Sequence, residues 1–152
     1  MTMTTTTITK YSELALKGID ALQVIFLLGL RLWLAKVFFM SGLTKIQSWD
    51  TTLMLFEYEY SVPILPFDIA AYLATAGELI IPVFLVLGLL TRLNVVALFA
   101  LNFVAAISYP DISFAGEKDH IIWGLMTLVL FFFGPGKAAI DTFIKSKLNI
   151  NH

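Results

Sequence analysis

The chain contains no cysteine. Disulfides, thiolate metal sites, iron–sulfur clusters and thiol redox chemistry carried by this chain are therefore excluded. Charge is scarce, at 14% of 152 residues, against about 25% in soluble domains. The net charge is −1 and no Lys/Arg-rich run occurs, so there is no electrostatic basis for a nucleic-acid partner. Histidine occurs only at His120 and His152. Bis-histidine haem ligation lacks a ligand set, and His120 with Asp119 and Glu117 is a weak first shell for a metal, so no metal site is expected. Ser41 has no His/Asp partner at nucleophile spacing. Gly134, Pro135 and Gly136 follow no strand, which makes them a helix stop rather than a phosphate loop.

What fills the chain instead is apolar surface: 59% of residues are hydrophobic and the mean hydropathy is +0.85. A soluble protein of this size has no core large enough to hide that excess, and the bilayer is the natural solvent. Apolar segments cover about residues 21–43, 69–90, 93–109 and 121–133. A span needs about 20 residues, so the first two qualify outright. The third is at the short limit, and the fourth reaches that length only if it begins near Glu117 and continues past Gly134, Pro135 and Gly136, or else it is tilted or short. The expected fold is all-α: an integral membrane four-helix bundle with an amphipathic first outer loop. Residues 1–20 read as a polar, mobile N-terminal tail leading into a short amphipathic stretch, 21–141 as the membrane domain and 142–152 as a cytoplasmic tail. The N-terminus does not resemble a signal peptide, because the apolar run is too long and no small-residue cleavage site follows.

With four spans, Lys10, Lys17, Arg92, Lys137, Lys145 and Lys147 share one side, and Lys45 and Lys118 the other. That asymmetry predicts both termini in the cytoplasm of a bacterial-type inner membrane. Thr91 and Arg92 are expected to form a tight turn, and residues 51–60 in the first outer loop are expected to lie as a short helix over the bundle mouth, covering Leu53, Met54 and Phe56.

Arg31 poses the sharpest question. Counted from the ends of the apolar segments at about 1.5 Å per residue, Arg31, Glu78 and Asn102 each fall near mid-membrane, with Thr127 close by. An isolated charge there costs at least about 2.5–3.5 kcal/mol. The expectation is an Arg31–Glu78 pair with Asn102 as a further hydrogen-bonding group, serving either helix register or a substrate or proton role. The alternative partner for Arg31 is a ligand anion. Lys36, Tyr72, Tyr109, His120 and Trp123 are expected to line an outer polar chamber that binds a ligand.

Several stretches resemble the DoxX family: R-L-x-L-A-x-x-F-x-x-S-G-L-x-K-I at residues 31–46, G-E-L at 77–79, L-G-L-L-T-R at 87–92, D-H-x-x-W-G at 119–124 and G-P-G-K-A-A-I-D at 134–141. The chain departs from it at Ala138 and Ala139, where many members carry a serine. The resemblance implies a small four-helix membrane protein, linked in some members to membrane oxidoreductases. It implies a membrane subunit of a quinone-linked system, with quinone as ligand and no intrinsic cofactor. With no cysteine, haem ligands or nucleotide loop, electrons would have to come from an oxidoreductase partner or a bound cofactor. Residues 48–60 also resemble a subgroup associated with maturation of small modified, metal-associated peptides. That supports the alternative, a non-enzymatic membrane anchor or transport accessory for such a partner. The lipid bilayer is a partner on either reading, and a homo-oligomer is left open.

Overall fold

The computed structural model describes residues 2–148, with side chains from Lys10 onward. Six helices follow in order: α1 (Thr2–Gln47), α2 (Trp49–Tyr58), α3 (Phe67–Leu87), α4 (Thr91–Ser108), α5 (Phe114–Phe133) and α6 (Ile140–Lys147). Among the described residues there is no strand. Helices α1, α3, α4 and α5 form an up-down-up-down bundle: α1 packs on α3, α3 on α4, α4 on α5, and α5 closes the ring on α1. The chain is a multi-pass membrane protein. Helices α1, α3 and α4 are each long and apolar enough to cross a bilayer. The 20 residues of α5 complete the bundle although Glu117, Lys118 and Asp119 crowd its first turns.

The 46 residues of α1 would reach about 69 Å at 1.5 Å per residue, twice the length of its partners. The helix therefore runs on past the bundle, and Leu14, Leu16, Ile19 and Leu22 are all exposed. The segment expected as a mobile tail is helical and continuous with the first span. The outward side chains of the bundle are large and apolar, as lipid requires. Leu27, Leu34, Phe38, Leu85, Leu98 and Leu130 form the inward core.

Two ends of the bundle matter. At one, called here the Trp49 end, α2 lies over the helix ends as the amphipathic pattern predicts. It buries Thr52 and Phe56 and leaves Met54 and Glu57 exposed. Met54 was expected to need cover, but two anchors suffice: Phe56 packs with Ala70 and Ala71, and Thr52 Oγ1 donates to the carbonyl of Lys45 at 2.9 Å. At the other, the Gly88 end, α3 stops at Gly88 in the left-handed region, φ 66° and ψ 38°. The amide of Leu89 donates back to the carbonyl of Phe84 at 3.1 Å, the bond that closes a Schellman turn. A Cβ at Gly88 would lie 2.5 Å from Cβ of Ala139 and 2.6 Å from Arg31 Nη1. Gly88→Ala is therefore expected to destabilise the fold by about 2 kcal/mol through left-handed strain and overpacking, read as a lower unfolding midpoint in mixed micelles. An unchanged midpoint would show that the turn shifts freely.

Candidate functional site

The register of α1 against α3 decides which polar groups meet. Gly42 lets the two helices approach so closely that a Cβ there would sit 2.9 Å from Leu79 and 3.1 Å from Glu78 Cβ. Residue 42 is thus level with residue 78, and Arg31 is level with Gly88. Eleven residues separate Arg31 from Gly42, about 16 Å along the helix. The expected Arg31–Glu78 pair does not form. The physical reason is the length of α1: its apolar run continues past the bundle, so counting from the start of that run misplaces Arg31 along the helix.

Arg31 is 1% exposed and works at the Gly88 end. Nη1 donates to the carbonyl of Pro135 at 2.8 Å, and Nη2 to those of Ala138 at 2.8 Å and Val86 at 3.3 Å. Its partners are the last turn of α3 and the loop between α5 and α6, where Gly134 has ended α5. Asp141 completes the arrangement. Its carboxylate accepts from the amides of Leu90 and Thr91, both at 2.7 Å, and its own amide donates to the carbonyl of Gly88 at 2.9 Å. It caps the start of α4 from outside the helix. Arg31 and Asp141 tie the α3–α4 turn to the α5–α6 loop. Arg31 Nη1 and Nη2 donate to backbone carbonyls, while the buried Nε has no partner among the described residues; with its bonds made to two chain segments, the arginine reads as architecture.

Titratable chemistry gathers at the Trp49 end. Glu78 accepts from Lys45 Nζ through both oxygens, at 2.9 and 2.7 Å, and Lys45 also donates to Ser41 Oγ at 3.0 Å. The Lys45 and Glu78 side chains are 18% and 8% exposed. Lys45 was expected in the outer loop and instead sits inside α1. Its i, i+4 spacing from Ser41 and the intervening Gly42 are the sequence signals for this site. The next residue outward is Tyr60, in the return from α2 to α3. Burial pushes its hydroxyl pKa up, and Tyr109, Glu78 and Glu59 add to that, so at neutral pH it remains a donor. Its ring meets Phe56 at 4.8 Å and Tyr109 at 5.3 Å.

Asn102, buried, belongs to a second cluster. Its Nδ2 donates to the carbonyl of His120 at 2.8 Å, and Oδ1 lies 2.8 Å from His120 Nδ1. A carbonyl only accepts, which fixes the amide orientation and places a proton on Nδ1. In the neutral ring Nε2 is therefore the acceptor. His120 stacks edge-on to Trp123 at 5.1 Å, and Trp123 to Phe38 at 5.7 Å. Phe38, Ser41 and Lys45 share one face of α1 by helical spacing, so the two clusters flank the same stripe. Tyr72 stands apart against Trp49 at 4.6 Å. Lys36 leaves the expected chamber altogether: it lines a groove of about 350 Å³ between α1 and α3, with Leu32, Phe39 and Pro82. Thr127 donates within its own helix to Gly124 at 2.6 Å.

Comparison with known proteins agrees with this architecture. Residues 26–110 match the DoxX family. A protein of Haemophilus influenzae, described as uncharacterized, is 36% identical over 126 residues, 78% of this chain and 83% of that protein. No solved structure matches.

Proposed function

The chain belongs to the DoxX family, and on that premise we propose that it is the membrane subunit of a quinone-linked redox system whose ligand-binding end is the Trp49 end. The observation that carries this reading is the Lys45–Glu78 ion pair, nearly enclosed at the end of a membrane bundle. Intramembrane ionisable groups are costly and are functional candidates by default. A quinone, when bound, supplies two-electron, two-proton chemistry, with electrons drawn from a partner protein. The residues present suit such a head group. The Tyr60 hydroxyl is held protonated to donate to a carbonyl. His120 Nε2 accepts from a hydroxyl, or donates once the ring is charged. Glu78 has unused lone pairs with which to hold a proton, and aromatic rings of Trp49, Phe56, Tyr109 and Trp123 supply flat apolar surface.

Protein purified into nanodiscs from native lipid is expected to retain quinone well above its bulk lipid fraction, measured by extraction and mass spectrometry. Lys45→Met with Glu78→Gln is expected to lower retention at least about tenfold, the scale of losing one charge-assisted hydrogen bond. Retention equal to the bulk fraction would overturn the reading. The second reading, a membrane anchor for an oxidoreductase or peptide-maturation partner, is favoured by the outer face of α2. That face exposes Asp50, Glu57 and Tyr58 while Thr52 and Phe56 hold the helix down. A stable partner complex lost on Tyr58→Ala, with no quinone retained, would select it. On either reading we place both termini in the cytoplasm of the inner membrane. Reporter fusions should read inside at His152 and outside near Trp49.

A further inference from the structure

We propose that the Gly88 end binds one anionic phospholipid, with its phosphodiester among Arg92, Lys137 and Lys145. A cavity of about 570 Å³ opens there between α1, the start of α4 and the α5–α6 loop. Those three cations line its polar side, together with Thr91, whose buried hydroxyl has no partner among the described residues. Leu27, Leu93 and Phe133 line its apolar side, in position for an acyl chain.

Two carboxylates share the wall, Asp20 and Asp141. Asp141 is already committed to the amides of Leu90 and Thr91. Asp20 is 4.0 Å from Lys137, with both side chains largely exposed, a contact of little energy. The cavity therefore keeps a positive excess, and the buried Arg31 guanidinium adds to it from behind. An anionic head group fits this excess. A choline or ethanolamine head group would bring its own cation against three others.

Helix α6 argues for a lipid over a soluble phosphate. It exposes Phe143, Ile144 and the following Leu148, while Lys145 and Lys147 occupy its last turn. Lys147 Nζ lies 5.0 Å from the centre of the Phe143 ring. Apolar residues beside lysines on a short helix mark an element lying in the membrane interface. The cavity beside it then opens at head-group depth.

The test uses the full chain in dodecyl maltoside, exposed in turn to phosphatidylglycerol, phosphatidylcholine, glycerol 3-phosphate and inorganic phosphate. Retained ligand is read by native mass spectrometry and thermal shift. Phosphatidylglycerol is expected to be retained at one per chain and to raise the melting temperature, and the other three are not. Each cation near a membrane surface contributes on the order of a fivefold affinity change. The triple variant Arg92→Gln, Lys137→Gln, Lys145→Gln should thus lose at least about tenfold, while Lys36→Gln with Lys118→Gln, outside the cavity, should lose nothing. Thr91→Val, close in shape, serves as a folded variant that should weaken retention more modestly. Equal retention of the two lipids, or undiminished phosphatidylglycerol retention by the triple variant, would overturn the proposal. Glycerol 3-phosphate or inorganic phosphate binding as well as the lipid would overturn it in favour of a soluble anion.

Discussion

Lys45→Met is expected to destabilise the bundle by about 3–5 kcal/mol, the usual consequence of stranding one partner of a buried ion pair. The stranded group is Glu78, whose side chain is 8% exposed and lies among the packed helices. Glu78→Gln should cost less, although it removes the same pair. Lys45 keeps its bond to Ser41, is more exposed at 18%, and has a flexible stem that can carry its ammonium outward. The double variant Lys45→Met, Glu78→Gln leaves no charge behind and should lie within about 1 kcal/mol of the parent, giving a coupling of at least about 2 kcal/mol. Unfolding in mixed micelles reads all four proteins. Equal losses from the two single variants would refute the snorkelling argument, and strict additivity would refute the pair. The same cycle run with Arg31→Met and Glu78→Gln should be additive within about 0.5 kcal/mol, as for sites that share no partner.

That last cycle measures where the sequence stops being informative. Apolar length and the scarcity of charge were enough to read a multi-pass helical bundle, and amphipathic spacing placed a helix within the first outer loop. Burial was also legible: Arg31, Glu78 and Asn102 are all enclosed. Their partners were not. Pairing depends on the axial register of two helices, and an apolar run gives its own ends poorly when it continues past the bundle, as α1 does. An error of eleven residues in level was enough to exchange every partner. Lys45 was hidden for a related reason, since a lysine near the end of an apolar run reads as a loop residue. The fragments that carry the family resemblance nonetheless sort into two places in space. Arg31, the 87–92 stretch and the 134–141 stretch meet at the Gly88 end. Ser41, Lys45 and Glu78 meet at the Trp49 end, where His120 also lies.

Arg31→Met should cost on the order of 3–5 kcal/mol, for a different reason than Lys45. The guanidinium serves three carbonyls, those of Val86, Pro135 and Ala138. Leaving a buried acceptor without a donor costs about 1–3 kcal/mol each, partly offset because the variant no longer desolvates a cation. Arg31→Lys should recover little, since one compact ammonium cannot reproduce the planar fork that reaches two separate segments. The loss should also be local before it is global. Hydrogen exchange should quicken across residues 134–148 and at the amides of Leu90 and Thr91, and remain slow around Glu78. Asp141→Asn should loosen the same segments more mildly, by about 1 kcal/mol, because an amide offers one acceptor oxygen where the carboxylate offers two. Both residues hold one loop to one turn. Once either is lost the other has less to hold, so the double variant should fall short of the sum of the singles. Unchanged exchange across 134–148 in Arg31→Met would mean that the loop is held by packing alone, and that the arginine is buried for some other purpose.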